Sequence, residues 1–198
     1  MSVREAQKEQ RKKEILYAGL DLFVRKGYAA TKISDIAKKA SMSVGLLFHY
    51  FDSKETLYME LVTMGWMGTT YPFSPKYDSA ILYFETFTRE LFSTMQKEPY
   101  VAMMFVLMAQ AQRSEGTPEA VRNIANKVDT IHRFVPIIER GQAEGSIRLG
   151  DPLSLSTAFF CSIQGIAENY AMHPETALPS PEWIVDLVRN HKKEGEKG

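Results

Sequence analysis

Apolar residues recur along most of this chain at the three- and four-residue intervals of α-helices, and the two-residue alternation of strands is nearly absent. The first stripe predicts a helix from about Gln7 to Lys26, which Gly27 ends. Its apolar members are Ile15, Ala18, Gly19, Leu22 and Phe23. The predicted fold is therefore all-α, with about nine helices.

Two short helices are predicted after the first. Thr31 is expected to cap the second helix and Ser43 the third, with a tight turn at residues 40–42 between them. Leu47 and Phe48 in the third helix are expected to be buried. This arrangement is that of a helix-turn-helix, whose second helix fits the major groove of DNA. Any short helical hairpin shares the periodicity, so the pattern alone leaves other functions open.

The remaining chain is divided into six helix-length segments by proline and glycine. We predict a small domain at residues 1–54 and a larger one at residues 55–198. A loop is predicted at residues 71–76, and a kink is predicted at Pro136. The predicted helices begin near residue 53 and then span about 78–97, 99–113, 117–141, 152–172 and 181–193.

Charge is distributed unevenly between the two predicted domains. The chain has 24 basic and 24 acidic residues, but residues 1–54 hold 11 of the former and 6 of the latter, a net charge of +5. A basic head on an acidic body suits a polyanion that binds at one end. A solvated charged helix would give the same count.

Several classes of protein are disfavoured by composition. The longest apolar run, residues 101–109, is too short to cross a bilayer, and the first residues lack the apolar core of a secretion signal. Cys161 is the single cysteine, so no intrachain disulfide can form. We expect a cytoplasmic protein that does not contact membranes.

Catalytic chemistry is not indicated by any motif. The four histidines are scattered without metal-ligand spacing, and the sequence contains neither a glycine-rich phosphate loop nor a nucleophile elbow. We therefore expect a protein that is not an enzyme and that uses no cofactor and no metal.

Two segments resemble the DNA-binding domain of the TetR family of transcription regulators: GYAATKISDIA at residues 27–37 and SVGLLFHYFDSKETL at residues 43–57. The resemblance implies a homodimer that binds double-stranded operator DNA. It also implies a repressor that a small apolar or aromatic effector releases from DNA. An activator of the same family stays open, as does a helical small-molecule carrier without specific DNA binding.

Three positions depart from the family pattern. Ser41 stands where glycine is usual after the second helix, and a left-handed serine there would add strain on the order of 1 kcal/mol. Phe48 replaces a tyrosine. Val44 and Leu46 occupy recognition positions that are often polar, where they can pack against thymine methyl groups.

The resemblance also assigns DNA contacts to individual residues. The residues expected to contact phosphate are Thr31, Lys32, Ser34 and Lys54. Those expected to contact base edges or the adjoining backbone are Ser43, Val44, Gly45 and Leu46. His49 and Tyr50 are expected at the groove wall.

The larger domain is expected to hold an effector pocket and the dimer interface. Aromatic and methionine side chains are the candidates for the pocket lining: Trp66, Phe84, Phe87, Met103, Met104, Met108 and Phe134. Apolar positions of the last two predicted helices are the candidates for the dimer interface: Phe159, Phe160, Ile163, Ile166 and Trp183. The helix that begins at Lys54 is expected to couple the two functions.

Overall fold

A computed structural model describes residues 2–70 and 77–191 of the chain. These residues form ten α-helices, which confirms the predicted all-α class. The helices are α1 (Val3–Ala30), α2 (Ile33–Lys39), α3 (Val44–Phe48), α4 (Lys54–Thr70), α5 (Ala80–Lys97), α6 (Tyr100–Arg113), α7 (Glu119–Ala125), α8 (Thr130–Ala143), α9 (Pro152–Met172) and α10 (Pro181–Val185). The loop predicted at residues 71–76 lies outside the described residues.

Three predicted helices have different bounds in the structure. α1 starts at Val3, because Ser2 and Glu5 form a reciprocal capping box. The helix predicted over residues 117–141 is two helices, since the side chain of Asp129 accepts from the His132 amide and starts α8 anew. The last helix ends at Val185, and the chain then pairs with residue 147 in an isolated antiparallel bridge.

The chain forms two compact units. The first contains α1 to α4 together with α6 and α7, and the second contains α5, α8, α9 and α10. The division into a DNA-binding domain at residues 1–54 and a second functional domain at residues 55–198 stays a prediction.

In the first unit, α1 and α4 cross at a glycine. A Cβ placed on Gly19 would lie 2.6 Å from Cδ2 of Leu57, so a larger residue would displace the buried Leu57 side chain. Beside the crossing, the rings of Phe23, Tyr28 and Tyr58 are in contact, with centroids 4.8–5.9 Å apart. These contacts fix the start of α4 against the end of α1.

The core of the second unit is an aromatic cluster. Phe84 of α5, Phe134 of α8 and Phe159 of α9 are fully buried, and their ring centroids lie 4.8–5.6 Å from one another. Phe159 meets Phe84 and Phe134 edge to face, an arrangement that attracts aromatic rings beyond the gain from burial alone. Phe159 therefore belongs to the interior of a single protomer.

Candidate nucleic-acid interface

The turn between α2 and α3 has the geometry of a left-handed helix cap. Ser41 has φ of 54°, and it is the one residue other than glycine with a positive φ among those that the structure describes. The amides of Ser41 and Met42 donate to the carbonyls of Lys38 and Ala37, the two bonds of a Schellman motif. The left-handed conformation considered for Ser41 is confirmed, and glycine would suit the position better.

α3 presents apolar side chains to solvent. Leu47 is fully buried, as predicted, but Phe48 is 45% exposed, so its predicted burial is wrong. A helix of five residues turns little more than once, and Leu47 alone points into the unit. Val44 and Leu46, 37% and 41% exposed, join Phe48 on the outer surface.

Ser43 is the N-cap of α3, as predicted. Its Oγ accepts from the Leu46 amide at 3.1 Å, which leaves the hydroxyl hydrogen free to donate. Gly45 has open space around its Cα, since an added Cβ would meet nothing within 4 Å. His49 is exposed and Tyr50 is partly exposed. These predicted contact residues are thus brought together on one short segment.

The start of α2 differs from the prediction. Thr31 is 1% exposed, and its hydroxyl lies 2.8 Å from the carbonyl oxygen of Gly27 and 3.2 Å from that of Leu22. Its side chain therefore closes the end of α1, and it neither caps α2 nor reaches solvent where DNA could lie. Lys32 is the N-cap residue of α2 and is exposed, as is Ser34.

Lys54 is engaged within the protein. Its Nζ donates to the carbonyl oxygens of Tyr28 at 2.8 Å and Thr31 at 2.9 Å, and it lies 4.1 Å from the centroid of the Tyr28 ring. Burial lowers the pKa of this ammonium. Lys54 thus ties the start of α4 to the end of α1, and the phosphate contact predicted for it stays a prediction. A local motif cannot reveal contacts across 26 residues of chain.

Other cations of the first unit are also paired. Asp21 accepts from Arg25 and Lys39, each at 2.9 Å, which joins α1 to α2. Burial alone would raise the pKa of Asp21, but the hydrogen bonds from Lys39 and Arg25 outweigh it and lower the pKa. Lys12 of α1 lies 2.6 Å from Glu60 of α4. A large part of the basic charge in residues 1–54 thus holds the unit together.

Phe48 is the surface residue that sequence reasoning missed. It was expected in the core, although the family pattern has a tyrosine at its place. The tyrosine of the family pattern, whose hydroxyl favours contact with water, was the signal that this ring lies at the surface.

The seven residues predicted to line an effector pocket are divided between the two units. Phe84, Phe87 and Phe134 lie in the second unit, within the aromatic cluster. Trp66, Met103, Met104 and Met108 lie in the first. There, a Cβ on Gly65 of α4 would lie 2.5 Å from Sδ of Met108, so α4 and α6 are in close contact.

The residues predicted at the dimer interface also separate into two groups. Phe159 and Ile163 are fully buried within the second unit, so their assignment to an interface is wrong. Phe160 and Ile166 are partly exposed. Trp183 of α10 is 68% exposed, an unusual state for a tryptophan.

A groove of about 570 Å³ runs beside Ile166 in the second unit. Its walls are α9 and the segment that leads into α10. The lining residues are Cys161, Ser162, Gly165, Ile166, Asn169, Tyr170, Thr176, Ala177, Leu178, Pro179 and Ile184.

No helix within residues 2–70 or 77–191 combines the length and the apolar character that crossing a membrane needs. In the same part of the chain, no three His, Cys, Asp or Glu side chains gather in a way that could hold a metal ion.

Known proteins resemble the chain at two levels. Residues 15–61 match the family model for bacterial regulatory proteins of the tetR family. The HTH-type transcriptional repressor KstR2 of Mycolicibacterium smegmatis is 26% identical over 146 residues, which are 72% of this chain and 70% of that protein. The HTH-type transcriptional regulator YfiR of Bacillus subtilis is 24% identical over 173 residues, 84% of this chain and 83% of YfiR.

The fold is shared with solved structures. The crystal structure of the MbdR regulator from Azoarcus sp. CIB superposes with a TM-score of 0.76 at 20% identity. The match covers 91% of this chain and 98% of that one. The likeness therefore extends well beyond the segment that the family model matches.

Proposed function

The chain belongs to the TetR family of bacterial DNA-binding transcription regulators, and from this premise we propose that it represses transcription as a homodimer on a palindromic operator in the cytoplasm. A small apolar or aromatic ligand releases it from the DNA. The observation that carries the DNA-binding part of the proposal is the surface of α3, where a five-residue helix exposes Val44, Leu46 and Phe48.

The chemistry of α3 favours the reading of thymine. Valine, leucine and phenylalanine offer no hydrogen bonds to base edges, but their apolar surface fits the C5-methyl group that only thymine presents in the major groove. The free hydroxyl hydrogen of Ser43 and the exposed Lys32 and Ser34 suit the adjacent phosphates. Base reading and backbone contact thus fall to different residues.

This division is tested by comparing two variants on an operator selected from random duplexes by the protein itself. Leu46→Ala should relax the preference at one or two thymine positions, each by about 1–3 kcal/mol. Lys32→Gln should weaken binding to all sequences alike and lower the salt slope by about 0.9 for each phosphate lost. An unchanged sequence preference in Leu46→Ala would refute the assignment of α3 as the reading element.

Dimerisation is proposed through α9 and α10. Trp183 is 68% exposed, and Leu153 and Leu187 are 41% and 36% exposed in the same unit. Tryptophan is enriched at protein–protein interfaces, so the exposed Trp183 ring supports an interface on this unit. A second copy of the chain is the partner that a palindromic operator requires.

The dimer is tested by sedimentation of Trp183→Asp. A folded monomer that has lost affinity for the full palindrome is the expected result. Phe159→Asp serves as a contrast, because a charge inside the aromatic cluster should unfold the second unit instead. A Trp183→Asp protein that still sediments as a dimer would remove this surface from the proposal.

The proposed release by ligand uses α4. This helix begins at Lys54, which holds the carbonyls of Tyr28 and Thr31, and its later turn at Gly65 packs on Met108. A shift of α4 relative to α6 would therefore be transmitted to the end of α1, where α2 begins. The methionines of α6 beside α4 suit an apolar or aromatic ligand, because methionine side chains adapt to irregular shapes.

Coupling between ligand and operator must be reciprocal. For an aromatic compound found by thermal-shift screening, saturating operator should weaken its binding about 5- to 150-fold, and the compound should weaken operator binding by the same factor. Calorimetry with and without operator gives both numbers. Equal ligand affinity in the two titrations would exclude that compound as the releasing signal.

A further inference from the structure

α1 extends well past the core of its unit. The first buried side chain of the helix is Ile15, although the helix begins at Val3, and residues 2–11 are exposed. At 1.5 Å per residue, residues 3–14 form an arm about 18 Å long. Its start is well defined, because Ser2 N donates to Glu5 Oε2 at 2.6 Å and Glu5 N donates to Ser2 Oγ at 3.2 Å.

One face of this arm carries cations. Arg4, Lys8, Arg11 and Lys12 follow the intervals of a single helical stripe, which we name the basic stripe. The same intervals continue into Ile15 and Gly19, which face the core. In the later turns of α1, this face packs against the rest of the unit. In the arm, the same face carries basic side chains.

Acidic residues of the arm lie off this face or are already bonded. Glu5 is held in the capping box, and that bonding lowers its pKa. Glu9 follows Lys8 by one position, so the two side chains point about 100° apart around the helix axis. Glu14 pairs with Arg11 at 2.8 Å. Arg4 and Lys8 form no ion pair with any residue that the structure describes.

The basic stripe ends, at Lys12, beside the segment that follows α3. Lys12 lies 5.7 Å from the centroid of the Phe51 ring, and its Nζ lies 2.6 Å from Glu60 of α4. Phe51 follows α3 by three residues, so Lys12 anchors the arm beside the end of the reading element. From that anchor the arm leads away towards Lys8 and Arg4.

We propose that this arm binds the phosphates of the duplex that flanks each operator half-site, through Arg4 and Lys8. The inference rests on the proposed DNA-binding function. Unpaired cations on one helix face complement the sugar-phosphate backbone, whose contacts position a protein without reading sequence. The arm therefore lengthens the operator that the protein occupies and leaves the sequence it reads unchanged.

The test uses one selected operator in two lengths. The first duplex carries about ten base pairs beyond each half-site, and the second is trimmed at the half-site ends. On the long duplex, Arg4→Gln/Lys8→Gln should lower the slope of log affinity against log salt by about 3.6 per dimer, at about 0.9 for each of four phosphates. On the trimmed duplex, wild type and variant should have equal slopes.

A matched pair of single variants separates position from charge. Lys8→Gln should lower the slope on the long duplex by about 1.8 per dimer. Lys13→Gln removes the same charge from an exposed residue on another face of the same arm, and its slope should equal that of wild type. Circular dichroism of each variant should match wild type, since the capping box is intact.

The possible results distinguish a failure of the arm proposal from a failure of the proposed DNA-binding function. Wild type that prefers the operator over shuffled DNA, with a slope that is the same on both lengths, refutes the arm and leaves operator binding standing. Equal slope changes for Lys8→Gln and Lys13→Gln also refute it, because general charge would then be the cause. Wild type without any preference for the operator overturns both the function and the arm.

Discussion

The two ends of α1 differ in how completely the rest of the protein holds them. At the carboxyl end, Gly27 has φ of 77°, the Thr31 hydroxyl closes the helix, and Lys54 binds two carbonyl oxygens. At the amino end, the arm precedes Ile15, the first buried residue of the helix, and its Arg4 and Lys8 are exposed. One end is a structural joint, and the other is the exposed surface for which we propose a contact with DNA.

This contrast shows that a cation in a basic domain has no fixed role. Lys54 and Lys39 stabilise the joint through carbonyl oxygens and the carboxylate of Asp21. Lys32 and Lys8 remain exposed. The net charge of a domain indicates how strongly the domain as a whole attracts DNA. Only the contacts of each cation show whether it is exposed for binding or stabilises the fold.

Loss of Lys54 should have the largest effect on the joint. Lys54→Ala removes two charge-assisted hydrogen bonds, and we expect the free energy of unfolding to fall by about 2 kcal/mol. Operator affinity should fall with it, whereas the salt slope should stay that of wild type, because the Nζ of Lys54 already donates to two carbonyl oxygens. Urea denaturation and anisotropy titrations at several salt concentrations measure the two quantities.

The control for this variant is Lys32→Gln, which should lower the slope and leave stability unchanged. If Lys54→Ala lowered the slope as well, Lys54 would contact phosphate directly in the complex, and the contrast between the two ends of α1 would be weakened.

The Asp21 contact between α1 and α2 should be smaller in energy and dependent on pH. Asp21→Asn should destabilise the protein by about 1 kcal/mol at pH 7. The folded-state pKa of Asp21 is below its ordinary value near 3.8, so its contribution is complete above that value and is lost as pH falls through the folded pKa. Denaturation at pH 7, 5 and 3 should show the two proteins converging at the lowest pH. A constant difference down to pH 3 would disagree with a charged pair.

The smallest expected effect is a gain in stability. Ser41→Gly relieves the left-handed conformation of the turn before α3, and we expect a stabilisation of about 0.5–1 kcal/mol. Thermal unfolding measures it, with Ser34→Gly as the control, since glycine inside α2 should destabilise by a similar amount. A lower melting temperature for Ser41→Gly would show that the serine side chain contributes more than the strain costs.

Local features of the fold could be predicted from sequence. Ser43 starts α3 as its N-cap, and Ser41 adopts the left-handed conformation that its place after α2 suggests. Each of these depends on bonds within a few residues of chain, and residue type encodes such bonds directly. The helix-turn-helix is built from signals of this kind, so its residues were found together.

Features that depend on distant parts of the chain could not be predicted in the same way. The partners of Lys54 lie 23 and 26 residues before it. Phe159 has the apolar spacing of an interface residue and is buried by rings of α5 and α8. Phe48 has the character of a core residue, but α3 is too short to turn it inward. The periodicity of a sequence shows which face of a helix is apolar. Only the tertiary structure shows what that face packs against.

The most direct test of the account is the affinity of the wild-type dimer for its selected operator and for a shuffled duplex of equal length, measured at several salt concentrations. The account predicts two protomers per palindrome and a preference for the operator of at least about 10³-fold at physiological salt. Affinity for both duplexes should fall steeply as salt rises. Equal affinity for operator and shuffled duplex would contradict the account, because a basic surface without base reading would then explain all the binding.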